Sequence, residues 1–166
     1  MPLFARVGER FADGEFAADI GKRLTLPKMN RSTDARLIDL PRYVRADGEA
    51  VVAETTAQVP FQIARMFALA APSGAKRGHH AHRLCSQFMI CVNGAVAVIC
   101  EDGSSQQTFV LDRRDRALLI PAGLWNTVNF RRDGSVLVVL CDRLYEAHDY
   151  IRDYTEFLSF RESIQA

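Results

Sequence analysis

The chain has 166 residues with 21 Lys+Arg against 20 Asp+Glu, a formal net charge of +1. That length gives one ordinary domain with a self-sufficient core, and the balanced charge excludes the broad field by which proteins hold nucleic acid or an anionic membrane. Its longest apolar runs, "SVLVVLC" and "ALLIPAGLW", fall far short of a bilayer span, and the N-terminus lacks the unbroken apolar core of a signal peptide, so the sequence reads as a cytoplasmic protein with a small-molecule partner.

Residues 1–35 mix charge, glycine and isolated apolar positions without a sustained period and are read as an N-terminal extension; residues 36–166 are read as the folded domain. From Arg36 onward short apolar segments alternate with turn signals. "VVAETTAQVP" is followed by "FQIARMFALA", in which Phe61, Ile63, Arg65, Phe67 and Leu69 alternate onto one strand face. "QFMICV" and "AVAVIC" flank Asn93-Gly94, a strong hairpin signal. "QTFVL", "ALLIP", "AGLWNTVNF" and, after the turn "RRDGS", "VLVVLC" complete a set of short strands that predicts an antiparallel sandwich or barrel. Beyond Cys141 the segment "RLYEAHDYIRDYTEFLSFRESI" is charged and aromatic. Tyr150, Tyr154, Phe157 and Leu158 stand at helical spacings, which predicts one or two helical turns packed on the sheet. Cys85, Cys91, Cys100 and Cys141 show no metal spacing and are read as reduced core thiols.

The stretch "RGHHAHRLCSQF" holds His79, His80 and His82, three of the four histidines. On a strand His80 and His82 share a face and His79 takes the other. A His-x-His pair on a barrel strand begins a cupin metal site. Here Ser86 and Gln87 stand where a carboxylate is needed, and in "PAGLWN" Asn126 stands where a further His is needed. Two imidazoles without those partners make a poor divalent-metal site, whereas imidazoles facing a barrel interior suit proton transfer or ligand binding.

Four stretches, "VPFQIARMF", "GAKRGHHAHR", "IPAGLW" and "LYEAHDYIRDYTEFL", together resemble the cupin family of nucleotide-linked sugar 3,4-ketoisomerases, the WxcM-like group. The resemblance runs from about Arg36 to Leu158. It implies an all-β cupin jelly-roll, a double-stranded β-helix barrel with a short C-terminal helical segment, acting as a homodimer on a nucleotide-linked sugar without metal or redox cofactor. The implied reaction moves a carbonyl from C4 to C3 of a dTDP-4-keto-6-deoxyhexose through an enediol. His80 maps onto the family's catalytic base and His82 onto its assistant. Arg65, with the basic residues Lys76, Arg77 and Arg83, is a candidate for holding a diphosphate or ordering the site, with solvated strand-end charges as the plain alternative for each. Trp125 is a candidate pocket wall with core packing as the plain alternative, and "DYIRDY" reads as a structural or dimer-contact signature.

Two departures from the family pattern stand out. "RADG" replaces the family's "D-x-R-G" turn, so Asp47 takes the place of an expected arginine, and Arg45, two residues earlier, is the candidate to compensate. Phe67 stands where active members commonly carry tyrosine, and a phenyl ring cannot donate a hydrogen bond. These departures motivate an alternative reading, a catalytically impaired cupin that binds a sugar nucleotide without turnover. A metal-dependent cupin oxygenase rests on His-x-His alone.

Overall fold

The unbroken apolar runs are strands buried on both faces, and they explain the layering of a computed structural model that describes residues 35–165. The expected N-terminal extension lies outside those residues except for Ala35. One five-stranded antiparallel sheet runs in the order β1 (Arg36–Asp39), β9 (Arg116–Ile120), β6 (Gln87–Asn93), β11 (Val136–Cys141), β4 (Arg65–Ala70). A second runs β12 (Tyr150–Ile151), β5 (Lys76–His82), β10 (Trp125–Phe130), β7 (Val96–Glu101), β8 (Gln106–Leu111). A two-stranded hairpin, β2 (Arg42–Arg45) with β3 (Gly48–Val51), stands apart.

Period-two alternation sorts the apolar residues into three clusters. Met89, Cys91, Val98, Leu118, Ile120, Val128, Phe130, Leu137 and Val139 meet between the five-stranded sheets as the barrel core. Their strand neighbours Phe88, Ala117, Leu119 and Leu140 project from the opposite face of the first sheet and are covered by Leu40, Val51, Ala53, Val59 and Phe61. The segment following β3 thus serves as a lining over that sheet. On the outer face of the second sheet, Ala81, Trp125 and Ile151 pack under Phe157 of the C-terminal helix α1 (Tyr154–Gln165). Each large apolar side chain so removed from water contributes about 1.5–3 kcal/mol.

Three expectations need revision. Asn93-Gly94 is not a hairpin: β6 pairs with β9 and β11, while β7 pairs with β10 and β8, so the turn carries the chain from one sheet to the other. Gly94 has φ +77°, and a Cβ there would lie 2.2 Å from Ser135 Oγ. Ser135 is fully buried, and its hydroxyl accepts the Ala95 N–H at 3.0 Å, pinning this corner. The local turn signal is the same for a hairpin and a corner; only long-range pairing separates them. Next, the alternating strand begins at Arg65, so Phe61 and Ile63 precede β4. Finally, the helix is longer than one or two turns, and Tyr150 is not on it but on β12, after a 3₁₀ turn at Ala147–Asp149. Asp153 starts the helix by accepting the Glu156 N–H on its carboxylate at 2.8 Å and the Phe157 N–H on its carbonyl at 3.0 Å.

Candidate active site

Strand β5 carries the histidines and contains one residue more than its partner requires. Asn126 of β10 faces His80, but Thr127 faces Gly78, leaving His79 in a bulge where Gly78 and His79 both have positive φ, 84° and 55°. A Cβ on Gly78 would lie 2.8 Å from the Asn126 carbonyl oxygen, so the bulge depends on glycine. His79 reaches Thr127 Oγ1 at 3.5 Å, the outer limit of hydrogen bonding. Beyond the bulge His80 and His82 share a face, with ring centroids 5.0 Å apart and planes at 85°.

His82 is built as half of a dyad. Its Nδ1 donates to Asp149 Oδ2 at 2.6 Å, and both residues are buried. Asp149 is held in turn, because its Oδ1 accepts the Leu84 N–H at 2.7 Å and its carbonyl accepts the Arg83 N–H at 2.8 Å. With Nδ1–H committed to the carboxylate, Nε2 presents a lone pair that meets no protein partner. Burial pushes the His82 pKa down, with the Asp149 hydrogen bond opposing it; burial likewise takes His80 down to about 4. Both rings are therefore neutral near pH 7, the state in which an imidazole can accept a proton.

Tyr150 lies across from His82 on β12, its ring 4.9 Å from His80 and 4.3 Å from His82. Its phenol neighbours Arg65, whose Nη2 donates to Cys141 Sγ at 3.4 Å and whose Nε is buried without a partner. The Arg65 guanidinium sits 5.4 Å above Phe67 and 5.6 Å from the centre of Tyr145. Gln87 and Asn126 are both buried, so neutral amides stand where a cupin metal set needs a carboxylate and an imidazole. The arrangement assembles two neutral bases, a carboxylate behind one of them, and two hydrogen-bond donors, a phenol and a guanidinium.

Arg65 and Phe67 join the histidines as expected from the sequence. Arg77, opposite inward-facing Val128, shares the inner face of β5. Three other residues stand elsewhere. Trp125 takes its core-packing alternative on the outer face, edge-on to Tyr154 at 5.2 Å and against Phe157, because the alternation of β10 sends Asn126 and Val128 inward. Arg83 also turns outward, ion-paired with Glu156 and 5.3 Å above the Phe160 ring, so the helix rather than a diphosphate engages it. Arg45 lies in the exposed β2–β3 hairpin, in a separate sheet from the histidines. The residues that sequence reasoning missed, Asp149 and Tyr150, belong to "DYIRDY", which is a site motif as well as a structural one. Their signal was a strand-length polar-aromatic-apolar triplet able to pair beside "HAH".

A jelly-roll barrel with two neutral histidines side by side on one inner strand defines the class. The chain belongs to the family described as FdtA: WxcM-like, C-terminal, whose model matches residues 33–162. A curated relative, the TDP-4-oxo-6-deoxy-alpha-D-glucose-3,4-oxoisomerase of Aneurinibacillus thermoaerophilus, is 29% identical over 126 residues, covering 75% of this chain and 91% of its own. Among solved structures, a 3,4-ketoisomerase from Helicobacter canadensis superposes with a TM-score of 0.75 at 27% identity, over 78% of this chain and 98% of that one. The TDP-quinovose 3,4-ketoisomerase from Campylobacter jejuni gives 0.73 at 29% identity, over 77% and 99%.

Proposed function

We propose that this protein is a sugar-nucleotide 3,4-ketoisomerase that converts a TDP-4-keto-6-deoxyhexose to the 3-keto isomer. The observation that carries the reading is the pair of neutral imidazoles 5.0 Å apart with Asp149 behind the second. His80 removes the C3 proton. The electron pair closes a C3=C4 double bond, and the former C4 carbonyl oxygen takes the negative charge and then a proton. The C3 hydroxyl next gives up its proton, a carbonyl re-forms at C3, and C4 is protonated. His82 serves the oxygen-bound and C4-bound protons, since Asp149 stabilises its transient imidazolium. Arg65 and Tyr150 supply donors to the oxyanion, the role left open by Phe67.

The test is proton NMR of TDP-4-keto-6-deoxyglucose with the purified protein in deuterated buffer. Loss of the C3–H signal together with a new 3-keto species is the expected result. Ligand-induced spectral changes with neither would instead select the impaired, binding-only reading.

We further read the chain as a homodimer. The family resemblance supports this, as does edge strand β4, which pairs on one side only and exposes Met66 at 66% near exposed Arg65-flanking residues such as Ile63. Light scattering is expected to give twice the 18.6 kDa chain mass; a mass of one chain would refute the dimer. No helix among the described residues is long and apolar enough to cross a membrane, and four free buried thiols suit a reducing cytoplasm, which fractionation of the source cells would check.

A further inference from the structure

We infer that His82, Cys85 and Asp149 form a binding site for a thiophilic divalent cation of the zinc type, and that filling it switches the enzyme off. One ligand atom from each residue lies within 4.8 Å of the others, and the three are 3%, 2% and 4% exposed. Imidazole nitrogen, thiolate sulfur and carboxylate oxygen are the donor types zinc selects, and three protein ligands leave a fourth position for water. This set is not the cupin arrangement considered from the sequence, because it uses one histidine of the pair and takes its other two ligands from beyond β5.

Movements of about 1 Å suffice, since Cys85 Sγ, within 4.8 Å of the other two ligand atoms, has to stand about 3.6 Å from each. The 2.6 Å separation of His82 Nδ1 and Asp149 Oδ2 has to open to about 3.4 Å for both to reach a tetrahedral ion at about 2.1 Å. The cation takes the place of the Nδ1 proton, and the imidazole then carries its proton on Nε2, which has no partner in the protein. The Cys85 thiol donates to the Ser86 carbonyl at 3.5 Å, the outer limit of hydrogen bonding, and gives up this proton to solvent when it ligates the cation as thiolate. A dication with one thiolate and one carboxylate is neutral overall, which removes the main cost of burying a charge.

Occupation has a chemical consequence at the same atoms. Asp149 leaves His82, and Nε2 changes from a lone pair to an N–H, so the ring no longer accepts a proton. The inhibitory half of the inference rests on the isomerase reading; the binding half does not.

Cobalt(II) is the probe, because it reports thiolate ligation by charge-transfer absorption where d¹⁰ zinc is silent. Tag-free, chelator-treated protein titrated with Co²⁺ is expected to bind one equivalent, to develop the thiolate band, and to lose it when Zn²⁺ is added. Cys85→Ala is expected to abolish the band and to weaken binding by at least the roughly 10- to 100-fold typical of losing a supporting group at a metal site. Cys85→Ser keeps the side-chain volume and provides the same readout if the alanine variant does not fold. With turnover assayed, Zn²⁺ is expected to inhibit the native enzyme reversibly to chelation and to spare Cys85→Ser. Absence of a one-equivalent thiolate band in the native protein, or the same band in both Cys85 variants, would overturn the site. Stoichiometric binding with unchanged turnover would overturn the switch. A protein inactive on every sugar nucleotide would still give the cobalt result, so failure of the isomerase reading is separately visible.

Discussion

His80→Asn is expected to lower kcat by on the order of 10²- to 10⁴-fold, the range that positioned general bases contribute, with a circular dichroism spectrum and melting temperature close to those of the native protein. The fold should tolerate the change because His80 is only partly buried, packs edge-on to His82 and leans on Tyr150 without entering the barrel core. Asparagine keeps a comparable polar volume and cannot take a carbon-bound proton. Turnover and C3–H exchange should therefore fail together, while ligand binding persists. A variant with native turnover would remove His80 as the base and leave His82, the imidazole with a carboxylate partner, to take the part.

Asp149→Asn is the second large effect. It is a positioning change, since Asp149 touches His82 and the backbone at Leu84. The amide is isosteric and the backbone hydrogen bond can survive, so the 3₁₀ turn and β12 should remain in place. What disappears is the negative charge that stabilises a protonated His82 and fixes Nδ1 as the protonated nitrogen. We expect kcat to fall by on the order of 10²-fold or more with KM little changed. A purely structural role would instead appear as a lower melting temperature with kcat per folded molecule preserved. Asp149→Ala goes further: it leaves the buried His82 N–H and the Leu84 N–H without acceptors, at a stability cost of about 1–3 kcal/mol each.

The reach of sequence reasoning follows the range of the forces involved. The two-sheet barrel was legible because alternation is a local property, and runs such as "SVLVVLC" could only be strands covered on both faces. The pairing of His80 with His82 was legible for the same reason, and the bulge that displaces His79 lies upstream of both. The same two-residue period put Arg65 and Phe67 on one strand face, where the Arg65 guanidinium stands 5.4 Å above the Phe67 ring. Which face Trp125 and Arg83 take was not legible, because parity relative to the barrel axis is fixed by which neighbours cover each face, and here the C-terminal helix claims the outer one. Asn93-Gly94 misled because the torsions of a turn do not say which strands it joins. Asp149 lies 67 positions from His82 in the chain, and the triplet that could pair beside "HAH" does not say which edge it joins; the contact exists because β12 adds to the edge of β5.

The spare residue at Gly78–His79 has a consequence for the evolution and engineering of this barrel. Because β5 holds one residue more than β10 needs, the strand is divided into two segments whose pairings are set independently. Arg77 and His80 lie on the same face of the strand although an odd number of positions separates them. The half of β5 before the bulge can thus change phase against β10 without shifting the register that holds His80 and His82. The bulge acts as a mechanical decoupler between the two halves of the strand, so that substitutions at Lys76 and Arg77 leave the spacing of the two imidazoles fixed.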